Sequence, residues 1–197
     1  MTSTSTPSPR RRVPATERRD ALIEAAVVEF AHSGLYGTPV ERIARRVGVA
    51  QPYVFSLFAD KRELFLAAVQ RCFTAVEELF SNAAQAFDPA LAEPGSDVFS
   101  AMGEAYLEML STRREHLMLQ HQAYAACDDE VIREAVSKSY AHLVEHVRQL
   151  SGADSERLDE FFRYGMWLNV AAAMGVGDLS AGCEWMRVER AGAPEAR

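Results

Sequence analysis

Proline and glycine are scarce here, with eight Pro and eleven Gly in 197 residues, and most of the prolines sit near the ends or in one short stretch. A long chain so poor in breakers is expected to be helical. No apolar run approaches the roughly 18 residues that a membrane span needs. The stretch Met1 to Pro9 lacks the apolar core of a secretory signal. Three cysteines, Cys72, Cys127 and Cys183, are odd in number and far apart, which excludes a disulfide framework and a zinc-ligand pattern. A reducing, cytoplasmic setting is the expectation. Catalytic signatures are missing too: there is no G-x-S-x-G, no P-loop, no Gly-rich dinucleotide fingerprint and no His-Glu-x-x-His. His142 and His146 stand one helical turn apart but lack a clear third metal ligand. A carboxylate-bridged site needs two Glu-x-x-His pairs, and only Glu29 to His32 occurs. We therefore expect no enzyme, no cofactor and no metal.

What is present is a globular composition, 48% hydrophobic and 25% charged, with enough chain for one or two domains. The charge is unevenly spread. Residues 1–62 carry ten Lys and Arg against six Asp and Glu; residues 63–197 carry eleven against twenty-two. A basic end on an acidic protein is what a local contact with phosphates requires, while the acidic remainder is repelled from DNA and helps orient the chain on it.

Residues 1–13, rich in Ser, Thr and Pro and containing Arg10-Arg11-Arg12, read as a disordered basic arm. A first helix is expected from about Thr16 to Ser33, with Leu22, Ile23, Ala26, Val27 and Phe30 on one apolar face, Thr16 as a possible cap and Gly34 at its end. The next helix has clear start signals: Thr38 as N-cap, Pro39 at the first helical position and Glu41 three residues beyond the cap. Val40, Ile43, Ala44 and Val47 form its buried face and Gly48 closes it. A turn through Val49 and Ala50 leads to another short helix, Gln51 to Phe58, with Pro52 in its first turn and Val54 and Phe58 packing inward. Two short helices around a Gly-containing turn make a helix-turn-helix, whose second helix must be short enough to enter a major groove.

From Arg18 to Leu66 the chain resembles the DNA-binding domain of the TetR (tetracycline repressor) family. The residues that carry the resemblance are Gly34-Leu35-Tyr36-Gly37-Thr38, Val40-Glu41-Arg42-Ile43-Ala44, Gly48-Val49, then Phe55, Phe58, Lys61 and Glu63-Leu64-Phe65. Two positions depart from the family pattern. Phe55 stands where Tyr is usual and cannot donate to a phosphate, leaving it to touch a thymine methyl or to pack; Leu57 stands where His is common.

The resemblance implies an all-α protein of about nine helices: a three-helix DNA-binding domain over residues 14–62, and a helical ligand-binding and dimerisation domain over residues 63–197. It implies a sequence-specific transcriptional regulator, a repressor released from an inverted-repeat operator in double-stranded DNA by a small-molecule effector. Gln51, Pro52 and Tyr53 would lie at the base-reading end of the recognition helix, with Phe55 and Ser56 beside them. Thr38, Arg42 and Lys61 would meet the DNA backbone; Arg45 and Arg46 are further backbone candidates.

Lys61 to about Ala86 is expected to form a long helix with the stripe Leu64, Phe65, Ala68, Val69, Phe73, Val76 and Phe80, ended by the breakers from Asp88-Pro89 to Glu93-Pro94-Gly95. Further helices are expected at about 96–112, 113–126, 129–150 and 155–175. Phe99, Met102, Tyr106, Met118, His121, Gln122 and Tyr124 combine large flexible side chains with polar tips, as a ligand cavity would, although an ordinary core looks much the same; the resemblance favours the cavity. The helix 155–175 is apolar nearly all round, so it is buried on more than one side. By resemblance it helps form a four-helix homodimer interface through Phe161, Phe162, Gly165, Trp167, Leu168, Asn169 and Ala172. Asn169 there serves either dimer register or ligand. The rival readings are an enzyme, a helical protein-interaction module and an activator of the same fold. The segment 177–197, with Trp185, reads as a short helix or a tail.

Overall fold

A computed structural model describes residues 14–176. The basic arm expected over residues 1–13, and the segment 177–197 with Trp185 and Cys183, lie outside the described residues. Within them are eight α-helices: α1 (Ala15–Gly37), α2 (Val40–Val47), α3 (Gln51–Leu57), α4 (Lys61–Ala86), α5 (Val98–Thr112), α6 (Arg114–Ala125), α7 (Glu130–Ser151) and α8 (Ser155–Met174). None of them is long and apolar enough to cross a membrane.

α1 buries the expected stripe of Leu22, Ile23, Ala26, Val27 and Phe30. Phe30 meets Phe65 of α4 edge-on, with ring centroids 5.0 Å apart, an arrangement that places the positive ring edge on the negative face. The start of α1 differs from the reading: Pro14 occupies the cap position and its carbonyl accepts from the Arg18 amide at 3.1 Å, while Thr16 is exposed. The regular turns of α1 are broken at Gly34, whose φ of 67° and ψ of −179° belong to a region that only glycine enters cheaply.

The corner after Gly34 also corrects the reading of Thr38. Thr38 is fully buried, and its hydroxyl donates to the Gly34 carbonyl at 2.7 Å with the Glu29 carbonyl at 3.1 Å. It ties back onto α1 and does not cap α2. Pro39 takes the cap position, one residue earlier in the helix frame than expected. At the other end the expectation holds. Gly48 is left-handed (φ 72°), its amide reaches Arg45 O at 3.1 Å and the Val49 amide reaches Ala44 O at 3.0 Å, the pair of bonds that turns a chain sharply out of a helix.

α4 starts at Lys61 because Asp60 caps it, accepting from the Glu63 amide at 2.7 Å. Its whole apolar stripe is buried. The boundary expected between residues 62 and 63 therefore falls inside α4, which packs on α1 as well as on α5, α6 and α7. One continuous core runs from Leu22 to Leu168. α6 lies along α1, and α8 rests against α5, α6 and α7. Asp129 caps α7 through the amides of Val131 and Ile132, and its other carboxylate oxygen receives Arg62 at 3.2 Å, pinning the start of α4 to the start of α7.

A Cβ on residue 34 would lie 2.4 Å from Gln122 Oε1 of α6. Gly34→Ala is expected to lower stability by about 1–3 kcal/mol in urea unfolding. Adding Gln122→Ala should return only part of that loss, because it relieves the contact and leaves the backbone angle strained.

Candidate functional site

The turn Gly48–Ala50 sets α3 across α2 so that α3 buries Val54 alone and, just past its end, Phe58. Fixing Val54 inward turns the neighbouring positions outward. Pro52, Tyr53, Phe55 and Ser56 are exposed and Gln51 is half-buried. Phe55 keeps 43% of its surface open and Tyr53 36%, so of the two roles open to Phe55, packing in this core is not the one it plays. The Ser56 hydroxyl donates to Tyr53 O at 2.6 Å, which engages its proton and leaves its lone pairs to accept. No Asp, Glu, Lys, Arg or His occurs in α3.

Positive charge stands beside this helix instead. Arg42, Arg45 and Arg46 are exposed on α2. Arg42 and Arg46 both turn toward Glu29 of α1, at 2.9 Å and 3.2 Å. Glu29 is itself buried and bridges α1 to α2. Glu29, weighed above only as half of a Glu-x-x-His pair, has a signal for this bridging role in the sequence: a carboxylate on the same stripe as Leu22, Ala26 and Phe30. Lys61 donates to Tyr36 O at 3.4 Å, and partial burial lowers its pKa against the opposing pull of Glu41. Tyr36, at the end of α1, is 71% exposed and was passed over as a surface candidate. Thr38, expected to face phosphate, has no exposed side chain to offer, since its hydroxyl is spent inside the corner.

A second site lies among α4, α5, α6, α7 and α8: a cavity of about 50 Å³. Phe73, Val76 and Phe80 of α4 form one wall and Leu143 of α7 another. Of the expected ligand residues, Tyr106 and Tyr124 line it. The others do not. Phe99 and Met102 are buried in the core, and Met118 packs against that core half-buried. His121 reaches Asn169 O at 3.2 Å, and Gln122 faces Gly34. The reason is helix phase: α6 turns Gln120 and Tyr124, four residues apart, into the cavity, so the next two polar residues after Gln120 point elsewhere.

The expected dimer residues are redistributed as well. Phe161, Phe162, Gly165, Leu168 and Asn169 line the inner cavity of the same chain. Trp167 stacks on Tyr164 with centroids 6.2 Å apart, and it and Ala172 are half-buried. A helix apolar all round gives no phase of its own, and packing on α5 and α7 takes the face that the reading assigned to a partner. The face left open carries Met166, Val170 and Met174, at 36%, 47% and 71% exposure.

His146 Nε2 lies 2.8 Å from Ser81 Oγ, and His142 Nε2 lies 3.8 Å from Glu77 Oε1. Among the described residues, no group of three or more His, Cys, Asp or Glu could hold a metal ion.

An exposed, charge-free short helix braced by a second short helix, ahead of a helical body with an inner cavity, is a helix-turn-helix architecture. Residues 22–68 match the family described as bacterial regulatory proteins, tetR family. A stretch of 75 residues is 39% identical to the HTH-type transcriptional activator FasR of Mycolicibacterium smegmatis, covering 38% of this chain and 33% of that protein. Among solved structures, a TetR-like transcriptional regulator from Rhodococcus sp. RHA1 superposes with a TM-score of 0.64 at 20% identity, over 88% of this chain and 93% of that one. The fatty acid degradation regulator FadR from Bacillus halodurans gives 0.65 at 16% identity, over 95% and 100%. The chain is thus similar to the tetR family of bacterial regulatory proteins over residues 22–68, and it spans about a third of the curated relative it matches.

Burial holds the cavity tyrosines neutral: Tyr124 is pushed up to about 12, and Tyr106 and Tyr140 are also raised, desolvation being the largest cause for all three. The unfolded chain releases these protons first, near the ordinary value of about 10. Stability contributed by the neutral phenols is thus complete below about pH 10 and is lost as pH rises through 12. Alkaline titration followed by phenolate absorbance and circular dichroism should show late ionisation coincident with unfolding. A Tyr106→Phe/Tyr124→Phe variant should unfold at higher pH.

Proposed function

We propose that this protein is a sequence-specific DNA-binding transcriptional regulator that works as a homodimer on an inverted repeat and leaves its operator when a small molecule occupies the inner cavity. The observation that carries the reading is the outward face of α3, where Pro52, Tyr53, Phe55 and Ser56 are exposed and Gln51 is half-buried, beside Arg42, Arg45 and Lys61. Base edges are read by such a helix in the major groove, and phosphates are met by flanking cations. Gln51 is suited to a bidentate pair with adenine, and Phe55 to a thymine methyl. The function places the protein with DNA in the cytoplasm.

One helix-turn-helix reads few base pairs, so two-fold pairing follows from the function. The open stripe Met166, Val170 and Met174 on α8, with Trp167 and Ala172 at its edges, is the surface proposed to meet the partner. The two recognition helices would then sit about 34–36 Å apart. Repression is the default sign; a relative similar over 75 residues is named an activator, and operator position decides between the two.

Selection of bound genomic fragments by the purified protein should recover a short inverted repeat. Gln51→Ala/Tyr53→Ala should bind that repeat roughly 10- to 100-fold more weakly. Weak, salt-sensitive binding without sequence preference in both proteins would instead favour an interaction module. Val170→Glu should shift the protein to monomer in sedimentation and weaken operator binding, with its helicity unchanged.

A further inference from the structure

The cavity has a chemical character that narrows its ligand. Its lining contains no Asp, Glu, Lys, Arg or His. The walls are aromatic, and the rings meet at steep angles: Phe80 with Phe161 at 63° and 5.6 Å, and Phe161 with Phe162 at 87° and 5.5 Å. Edge-to-face rings leave faces against which another flat ring can slide. An ionised ligand would lose its hydration on entry and find no counter-charge in the lining, which penalises either sign.

One end of the cavity is polar. Tyr106 Oη donates to Asn169 Oδ1 at 2.7 Å and stands 3.5 Å from Gln120 Oε1. Tyr106, Gln120 and Asn169 are all buried. Whichever way the two amides are turned, one hydroxyl and two amide groups carry more donor hydrogens than these internal pairs consume. A ligand acceptor placed at this end would meet amide hydrogens that these internal pairs do not use.

We propose that this cavity takes an uncharged, flat aromatic molecule with one hydrogen-bond acceptor, such as a ketone oxygen, the ring lying among Phe80, Phe161 and Phe162 and the acceptor meeting Asn169 and Gln120. The proposal rests on the regulatory reading above for its biological sense, but on the cavity alone for its chemistry. At about 50 Å³ the space is smaller than such a ring, so entry rotates the aromatic walls and displaces α4 or α8.

The test uses the full chain and four probes sharing one ring system: 2-acetylnaphthalene, 2-methylnaphthalene, 2-naphthoate and 2-naphthylmethylammonium, with palmitate as an acyl-chain control. Calorimetric titration should show 2-acetylnaphthalene binding about tenfold more tightly than 2-methylnaphthalene, the gain expected of one good hydrogen bond in a buried site. Both ions and palmitate should bind more weakly than 2-methylnaphthalene. Asn169→Leu and Gln120→Leu should each erase most of the preference for the ketone while still binding 2-methylnaphthalene, which shows that the cavity has survived the change. Tightest binding by an ion or by palmitate, equal binding of ketone and hydrocarbon, or no binding by any probe would overturn the proposal. Selection of an operator alongside any of those results would leave the regulatory reading standing. Ketone-selective binding without sequence-selective DNA binding would do the reverse.

Discussion

The two sites share a single rod. α4 is 26 residues long, about 39 Å of continuous helix, and from Leu64 to Phe80 it is held by a buried stripe. Near its start it holds α1 through the edge-on contact of Phe65 with Phe30, and from its middle onward it forms a cavity wall with Phe73, Val76 and Phe80. Packed interiors transmit displacement because they have little spare volume. A ring forced into the cavity therefore pushes on the same element whose first residue, Lys61, follows closely on α3. Everything proposed about regulation depends on that constraint, since a ligand changes DNA affinity only insofar as it favours one position of this helix over another.

α6 gives the same two regions a second connection. It turns Gln120 into the cavity and, two residues on, sets Gln122 against the glycine corner of α1. That corner also holds Thr38, whose buried hydroxyl fixes where α2 begins. Cavity, corner and helix-turn-helix are thus joined through side chains as well as through the rod, and the short distance along α6 leaves little room for them to move independently.

Much of the N-terminal fold was legible because local signals agreed with the hydrophobic period. Gly48 stopped α2, Pro52 opened α3, Lys61 began α4, and the stripe from Leu64 to Phe80 is buried throughout. Where signals failed, the cause was physical. Thr38 has the chemistry of a cap and spends it on the preceding helix, because the reversal at Gly34 brings that helix's carbonyls within reach. α8 is apolar on nearly every side, so periodicity could not say whether Phe161 or Val170 faces its own core. On α6, Gln120, His121 and Gln122 are consecutive polar residues, and only the packing of the helix decides which one is enclosed.

The clasp of Arg42 and Arg46 by Glu29 has one more effect. A long, free guanidinium loses considerable rotamer entropy when a phosphate immobilises it. Here that ordering is accomplished when the chain folds, and the carboxylate leaves the outer part of each guanidinium open to solvent. Any phosphate these arginines met would find them already aimed, with their entropy loss borne by folding.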